Sequence, residues 1–201
     1  MVQNPPVPAH WKGFQPQPGD ALLIVDMQAD FMPGGALAVP EADRLIKPIS
    51  RMAKNFATVI ATRDWHPDDH CSFTAEGGQW PVHARAGSPG AAFAPGLVLP
   101  PRTLIWSKGS EKTAEAYSVF QDENGQASGF ADKLADYAPK RLFICGVALE
   151  YCVQACALDA LKAGAKAGYK VCLFPQLCGS LHPPALPLAR LERAGVVLYR
   201  V

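Results

Sequence analysis

The chain has no long hydrophobic segment, no excess of charge of either sign and no apolar segment near its start. No apolar run approaches the roughly 20 residues that a transmembrane helix needs, so we expect no membrane partner. The 19 Lys and Arg residues balance 18 Asp and Glu residues, which leaves no basic field to attract nucleic acid. Because residues 1–20 are polar and proline-rich, without the core of a secretory signal, we expect a cytoplasmic protein.

Cys-x-x-Cys pairs are also absent, although the chain contains six cysteines. Their absence argues against a cysteine-based zinc knuckle and against a thioredoxin-type redox site. A chain of 201 residues can bury a core without disulfides, so we interpret the cysteines as reduced thiols. We predict a proline-rich arm over residues 1–18 and a single domain over residues 19–201.

Six short apolar runs alternate with segments that have helical periodicity or turn residues. This alternation predicts an α/β fold: a doubly wound, mostly parallel six-stranded sheet with helices on both faces. The predicted strands cover residues 20–25, 58–62, 103–106, 142–145, 170–174 and 196–199. The predicted helices cover residues 41–55, 129–137 and 184–194, and a further helix begins at Tyr151.

Three reactive side chains follow different predicted strands: Asp26, Lys108 and Cys152. Ligands of such sheets bind beyond the carboxyl ends of the strands, so these side chains can meet there. Cys152 begins a predicted helix, whose N-terminal N–H groups and dipole favour a thiolate. A carboxylate and a lysine beside the thiol would activate it as a nucleophile. The alternative is a turn-capping Asp26, a solvated Lys108 and a Cys152 that is only a small buried residue.

Potential metal ligands cluster after the second predicted strand. Asp64 and His66 lie two residues apart and project to the same side of an extended segment, and His70 and His83 follow. Three such ligands would hold one divalent ion, and imidazole with carboxylate suits zinc, iron or manganese. The alternative is a set of surface histidines on a flexible loop.

Three aromatic residues lie in predicted loops after strands, namely Phe31, Trp80 and Tyr117. They could form the walls of an apolar slot for a flat ring. Packing in the core or under a lid explains the same spacing equally well.

Together these segments resemble nicotinamidases among the isochorismatase-like cysteine hydrolases, from about Ala21 to Val201. The matching segments, in the order of that family, are DMQADF (26–31), RDWHP (63–67), WPVH (80–83), KG (108–109), YSVF (117–120) and GVALEYCV (146–153). Two departures occur: Leu149 and Glu150 stand where most members have Thr and Asp, and Ala84 stands where a Cys is usual.

The resemblance implies an isochorismatase-like hydrolase fold and an amidohydrolase that acts on nicotinamide, a small molecule, and on pyrazinamide. It implies Asp26 as base, Lys108 as its partner and Cys152 as nucleophile. The N–H groups of Ala148 and Cys152 would form an oxyanion hole, with a cis peptide between Val147 and Ala148.

The resemblance also implies a metal ion, zinc before iron or manganese, held by Asp64, His66 and His83. His70 matches a ligand of only some members, which leaves open a fourth ligand. Phe31 and Trp80 would sandwich the pyridine ring, with Tyr117 nearby.

Two other kinds of function remain open at this stage. One is a related hydrolase that acts on isochorismate or on another small amide such as N-carbamoylsarcosine. The other is a catalytically impaired binding protein that has kept the fold. The sequence is also compatible with a homo-oligomer.

Overall fold

The computed structural model describes residues 14–199 and contains one six-stranded sheet in which every strand pair is parallel. The predicted doubly wound fold is therefore confirmed, and the sheet is entirely rather than mostly parallel. The strands are β1 (Asp20–Val25), β2 (Thr58–Asp64), β3 (Leu104–Lys108), β4 (Arg141–Gly146), β5 (Lys170–Cys178) and β6 (Val197–Leu198). Their order is β3-β2-β1-β4-β5-β6, so the strand order switches direction beside β1, where ligands bind in such sheets.

Helices cover both faces of the sheet, as predicted. The α-helices are α1 (Ile46–Ala53), α2 (Phe130–Ala135), α3 (Gln154–Ala167) and α4 (Ala185–Ala194). Alternate residues of β1 point to opposite faces: Leu22 and Ile24 pack in the core that contains α1, and Leu23 packs in the core that contains α2, α3 and α4. Because both faces are buried, the strands consist of continuous apolar runs.

Two predicted helices begin differently from the prediction. The helix predicted over residues 41–55 is a 3-10 turn (Ala42–Leu45) followed by the shorter α1. The helix predicted to begin at Tyr151 starts as a π-helical turn (Leu149–Val153) and becomes α-helical only at Gln154. Cys152 therefore lies inside a π turn, a local geometry that apolar spacing does not reveal.

The predicted N-terminal arm lies mostly outside the described residues, which begin at Phe14. Phe14 itself is buried, and its ring contacts Phe143 and Phe174 edge-on at centroid distances of 5.1 and 5.0 Å. Phe14 thus belongs to the core on the α1 face, whereas residues 15–18 are exposed or half-buried.

The long segment between β2 and β3 contains a single 3-10 turn (Thr74–Glu76) and otherwise no helix or strand. Backbone hydrogen bonds tie it to the carboxyl end of β1: Ala94 N–H donates to Met27 O at 2.8 Å, and Ala29 N–H donates to Ala92 O at 2.9 Å. This loop is consequently held over the carboxyl ends of the strands, where Asp26 follows β1 and Asp64 ends β2. Among residues 14–199, no helix has the length and apolar character that crossing a bilayer requires.

Gly146 sets the close approach of β4 to β1 at these strand ends. It pairs with Val25, has a φ of 121°, and a Cβ atom built on it would lie 2.1 Å from Val25 O. Only glycine fits this position. Any other residue would be strained at this φ angle, and its Cβ atom would collide with the backbone of Val25.

We expect Gly146→Ala to lower the free energy of unfolding by about 3 kcal/mol, since overpacking adds to the backbone strain. Gly125→Ala is the matched control, because Gly125 also has a positive φ of 79° but has open space around its Cα. We expect about 1 kcal/mol there. Urea unfolding measures both, and equal losses in the two variants would show that the contact with Val25 is unimportant.

Candidate active site

Four strands and their following turns deliver reactive side chains to one point. Asp26 follows β1, Asp64 ends β2, Lys108 ends β3, and Cys152 follows the turn after β4. All four are buried, with Asp26 at 0% exposure and Cys152 at 8%. The structure thus brings together the three residues that the sequence analysis expected to meet, and it adds Asp64 to them.

The Lys108 ammonium group lies at the centre of this cluster. Its Nζ is 3.0 Å from Asp26 Oδ2, 2.5 Å from Asp64 Oδ1 and 3.4 Å from Cys152 Sγ, and it also donates to Ala116 O at 2.9 Å. Burial disfavours a charged lysine, but Asp26 and Asp64 outweigh this and hold the pKa of Lys108 well above its ordinary value. Lys108 is therefore a fixed positive charge.

Asp26 is held by Thr62, a residue that the sequence analysis did not single out. The Thr62 hydroxyl donates to Asp26 Oδ1 at 2.6 Å. Oδ2 is paired with Lys108 by charge and has no hydrogen-bond partner within the described residues. Burial raises the pKa of Asp26, and the Lys108 ammonium only partly offsets this. A buried carboxylate with a raised pKa beside the thiol is suited to accept a proton.

Burial of the Cys152 sulfur opposes the ionisation that the N-terminal end of a helix favours. Burial raises the pKa of Cys152 well above its usual range, although Lys108 lowers it. Cys152 Sγ and one oxygen each of Asp26 and Asp64 lie within 4.8 Å of one another. The nucleophile can therefore form only when its proton moves to a neighbouring group.

A second cluster, Asp64, His66 and His83, lies beside the first. One ligand atom from each of these buried residues lies within 4.8 Å of the others. Burial opposes ionisation of Asp64, but Lys108 and His66 outweigh it and lower the pKa of Asp64. Burial lowers the pKa of His83 and so favours the neutral imidazole that binds metals.

Backbone carbonyls orient the two histidines. Nδ1 of His66 is 2.8 Å from Gly109 O, and Nδ1 of His83 is 2.8 Å from Pro81 O. In the neutral form of each imidazole, Nδ1 therefore carries the proton and the lone pair lies on Nε2. Nε2 of His66 is buried without a hydrogen-bond partner in the described part of the chain, as expected for a metal ligand.

His70 stacks on His66 at a ring distance of 4.1 Å, but both its nitrogens are engaged. Nδ1 accepts from Ser72, with Ser72 Oγ at 2.8 Å, so Nε2 must be the donor that reaches Ala114 O at 3.2 Å. Both ring nitrogens of His70 are thus paired with protein groups, and the ligand-type group that contains His70 is a different one, with His66 and Glu115. The geometry favours a supporting role for His70 over that of a fourth ligand.

Gln28 fixes the backbone of Asp64. Its side chain donates to Asp64 O at 2.8 Å and accepts from Asp64 N–H at 2.7 Å, and it also donates to Ala91 O. Gln28 is fully buried, so it ties β1, β2 and the long loop together. Its place after β1 was visible in the sequence, but its partners, 36 and 63 residues away, were not.

A pocket opens above Cys152, lined by the three predicted aromatic residues. Trp80 Nε1 donates to the Tyr117 hydroxyl at 2.9 Å, and Phe31 lies 5.8 Å from the His83 ring. Tyr151, which the sequence analysis missed, packs edge-on against Trp80 at 5.1 Å. The whole lining comprises Phe31, Leu37, Val39, Asp64, Trp80, His83, Glu115, Tyr117, Val147, Ala148, Tyr151, Cys152 and Leu181.

The peptide between Val147 and Ala148 is cis, as the resemblance implied. The Ala148 carbonyl accepts hydrogen bonds from the N–H groups of Tyr151 and Val153, each at 3.1 Å. Ala148 and Cys152 both line the pocket. Their backbone is therefore next to any molecule that contacts the sulfur.

Comparison with known proteins gives consistent matches over most of the chain. The model of the isochorismatase domain matches residues 20–195. The nicotinamidase of Escherichia coli is 34% identical over 207 residues, which cover 90% of this chain and 95% of that protein. The pyrazinamidase of Pyrococcus horikoshii, solved in complex with zinc, superimposes with a TM-score of 0.82 at 42% identity, over 92% of this chain and 100% of that one. PnC1 from L. infantum, solved in complex with nicotinate, gives a TM-score of 0.83 at 37% identity, over 91% of this chain and 93% of that one.

We expect Lys108→Met to destabilise the metal-free protein by about 3–5 kcal/mol, because it leaves two buried carboxylates without a counter-charge. Adding Asp26→Asn should restore part of the loss, since one of those charges is then removed. Urea unfolding of both single variants and the double variant measures the coupling. Strictly additive losses would contradict the electrostatic role assigned to Lys108.

Proposed function

We propose that this chain, which belongs to the isochorismatase domain family, hydrolyses nicotinamide to nicotinate and ammonia through a thioester on Cys152. The resemblance seen in the sequence is confirmed by the family match, and nicotinamidases and pyrazinamidases are its relatives over most of the chain. One observation carries the proposal: a buried thiol, a base and an ammonium group converge under an aromatic pocket beside three residues of metal-ligand type.

The first chemical step is a proton transfer within the buried cluster. Asp26 takes the proton of the Cys152 thiol as the sulfur attacks the amide carbon, and Lys108 stabilises the negative charge that moves between them. Asp26 then returns the proton to the amide nitrogen, and ammonia leaves. Asp26, again ionised, accepts a proton from the water molecule that attacks the thioester carbon. The carbon–sulfur bond then breaks, Asp26 returns the proton to the sulfur, and the thiol is regenerated.

The N–H groups of Ala148 and Cys152 are the proposed donors to the oxyanion. Both residues line the pocket, and the π turn carries Cys152 close to the backbone of Ala148. One such donor is commonly worth roughly 3 kcal/mol of transition-state stabilisation. The backbone of this turn is therefore as important to the proposed reaction as the sulfur.

Asp64, His66 and His83 are the proposed ligands of one divalent metal ion, zinc before iron or manganese. The fit rests on the buried, unpartnered Nε2 of His66 and on the carbonyls that orient both histidines. A carboxylate and two imidazoles leave open coordination positions. When bound, the metal would supply a Lewis acid that polarises and orients groups of the substrate beside the thiol.

Phe31 and Trp80 are the proposed walls for the pyridine ring, with Tyr117 behind them. The Tyr117 hydroxyl accepts from Trp80 Nε1 and, at 2.9 Å, from Gln79. These bonds fix the indole at the pocket wall. Pyrazinamide has a ring of the same shape and the same amide group, so we propose that it is also a substrate.

We expect Cys152→Ala to abolish ammonia release from nicotinamide, because no other group can form the thioester. Cys71→Ser is the matched control: Cys71 is half-buried outside the pocket above Cys152, and its loss should leave the rate near that of the wild type. A coupled ammonia assay measures both, with circular dichroism to verify folding. Appreciable turnover by a folded Cys152→Ala variant would contradict covalent catalysis.

We expect His66→Ala to lose its metal and to raise KM for nicotinamide, since it removes a ligand with a free lone pair. The loss of metal affinity should exceed the roughly 10–100-fold that loss of an outer-shell partner costs. His70→Asn is the control and should retain one equivalent of metal. Elemental analysis of the purified variants measures the metal, and unchanged metal content in His66→Ala would refute the ligand assignment.

A further inference from the structure

Glu150, one of the two departures from the family pattern before the nucleophile, has a specific set of partners. Its Oε1 accepts from the backbone N–H of His182 at 2.6 Å and lies 2.7 Å from the Ser180 hydroxyl. Ser180 is fully buried, and its hydroxyl also lies 2.7 Å from His182 O. One carboxylate oxygen on the π turn thus holds a short loop that leads from β5 to α4.

Leu181 lies between the two residues that Glu150 holds, and it lines the pocket above Cys152. The near side of this loop is anchored separately at Gly179, whose N–H donates to Gly146 O at 3.0 Å and whose carbonyl accepts from Leu149 N–H at 2.8 Å. Beyond Gly179, the hydrogen bonds that join this loop to the π turn within residues 14–199 are those of Glu150. The position of Leu181 in the pocket wall therefore depends on Glu150.

Glu150 does not itself line the pocket above Cys152, and it forms no ion pair among residues 14–199. Its second oxygen, Oε2, is buried and has no hydrogen-bond partner within the described residues. The side chain thus acts through hydrogen bonds accepted at Oε1, not through an ion pair with a basic residue. A glutamine, which keeps an accepting oxygen and nearly the same length, should hold the loop equally well.

We propose that Glu150 is a positioning residue that sets substrate selectivity, because it holds Leu181 as the apolar wall that excludes ring-substituted amides. This inference rests on the proposed function, since it concerns the pocket that would accept nicotinamide. Leu181 faces the same pocket as Leu37 and Val39, and the aromatic residues line it as well. A bulky substituent on the side of the ring that faces Leu181 would have to displace this residue, and the hydrogen bonds of Glu150 to the loop oppose that displacement.

The test compares Glu150→Ala, Glu150→Gln, Leu181→Ala and the double variant Glu150→Ala/Leu181→Ala. The substrates are nicotinamide and its ring-methylated analogues, and the readout is the ratio of their kcat/KM values. One methyl group in an apolar pocket changes this ratio by roughly 10–200-fold. We expect Glu150→Ala and Leu181→Ala each to raise the ratio for at least one analogue by about tenfold, and Glu150→Gln to leave it unchanged.

The double variant separates positioning from a general loss of stability. If Glu150 acts through Leu181, the double variant should show the selectivity of Leu181→Ala alone. The Glu150→Ala change then has no further effect, because the leucine side chain that it would mobilise is already absent. Additive effects on the ratio, or an unchanged ratio in Glu150→Ala, would overturn the inference. A tenfold shift in Glu150→Gln would also overturn it, since that variant keeps the accepting oxygen.

Hydrogen exchange gives a readout that does not depend on any activity. In Glu150→Ala the amide of His182 loses its acceptor, so we expect its exchange to accelerate at least tenfold, with no change in Glu150→Gln. Unchanged exchange in Glu150→Ala would overturn the inference whatever the substrate. If exchange accelerates but the wild type does not release ammonia from nicotinamide, the positioning role of Glu150 is supported and the proposed function fails.

Discussion

The site depends on the positive charge of Lys108. Without this charge, the groups around it could not be buried together. Two carboxylates and a thiol approach one ammonium group, and the two carboxylates and the ammonium are at most 5% exposed. Burial of an unpaired carboxylate is strongly unfavourable, whereas a compensated set can be accommodated. Lys108 ends β3, the edge strand, and its side chain reaches the ends of β1 and β2, so the order of the strands creates this arrangement.

The same electrostatics determine the chemistry that the site can perform. Burial raises the pKa values of both Asp26 and Cys152, and a proton transfer from the thiol to the carboxylate leaves the net charge of the pair unchanged. Asp64 connects this pair to the histidine cluster, because one of its oxygens contacts Lys108 and the other lies 3.7 Å from His66 Nε2. Any ion held there would therefore alter the field at Lys108 and, through it, at the thiol.

The sequence predicted the sheet and the proximity of the reactive residues well, because buried parallel strands are continuous apolar runs that end at one edge. It could not predict that Asp64 contacts Lys108 as closely as Asp26 does, since strand order, not spacing, makes β2 and β3 neighbours. The π turn around Cys152 was also invisible, because its apolar spacing matches that of an α-helix. Thr62, Gln28 and Tyr151 were missed as site residues for a related reason: their roles depend on partners distant in the chain.

Acid quenching during turnover, followed by mass spectrometry, tests most directly whether the Cys152 sulfur is the nucleophile. With nicotinamide as substrate, the account predicts a nicotinoyl group on the peptide that contains Cys152, formed within the first turnover and removed by hydroxylamine. Rapid release of nicotinate without any acylated peptide, or acylation of a different residue, would contradict it.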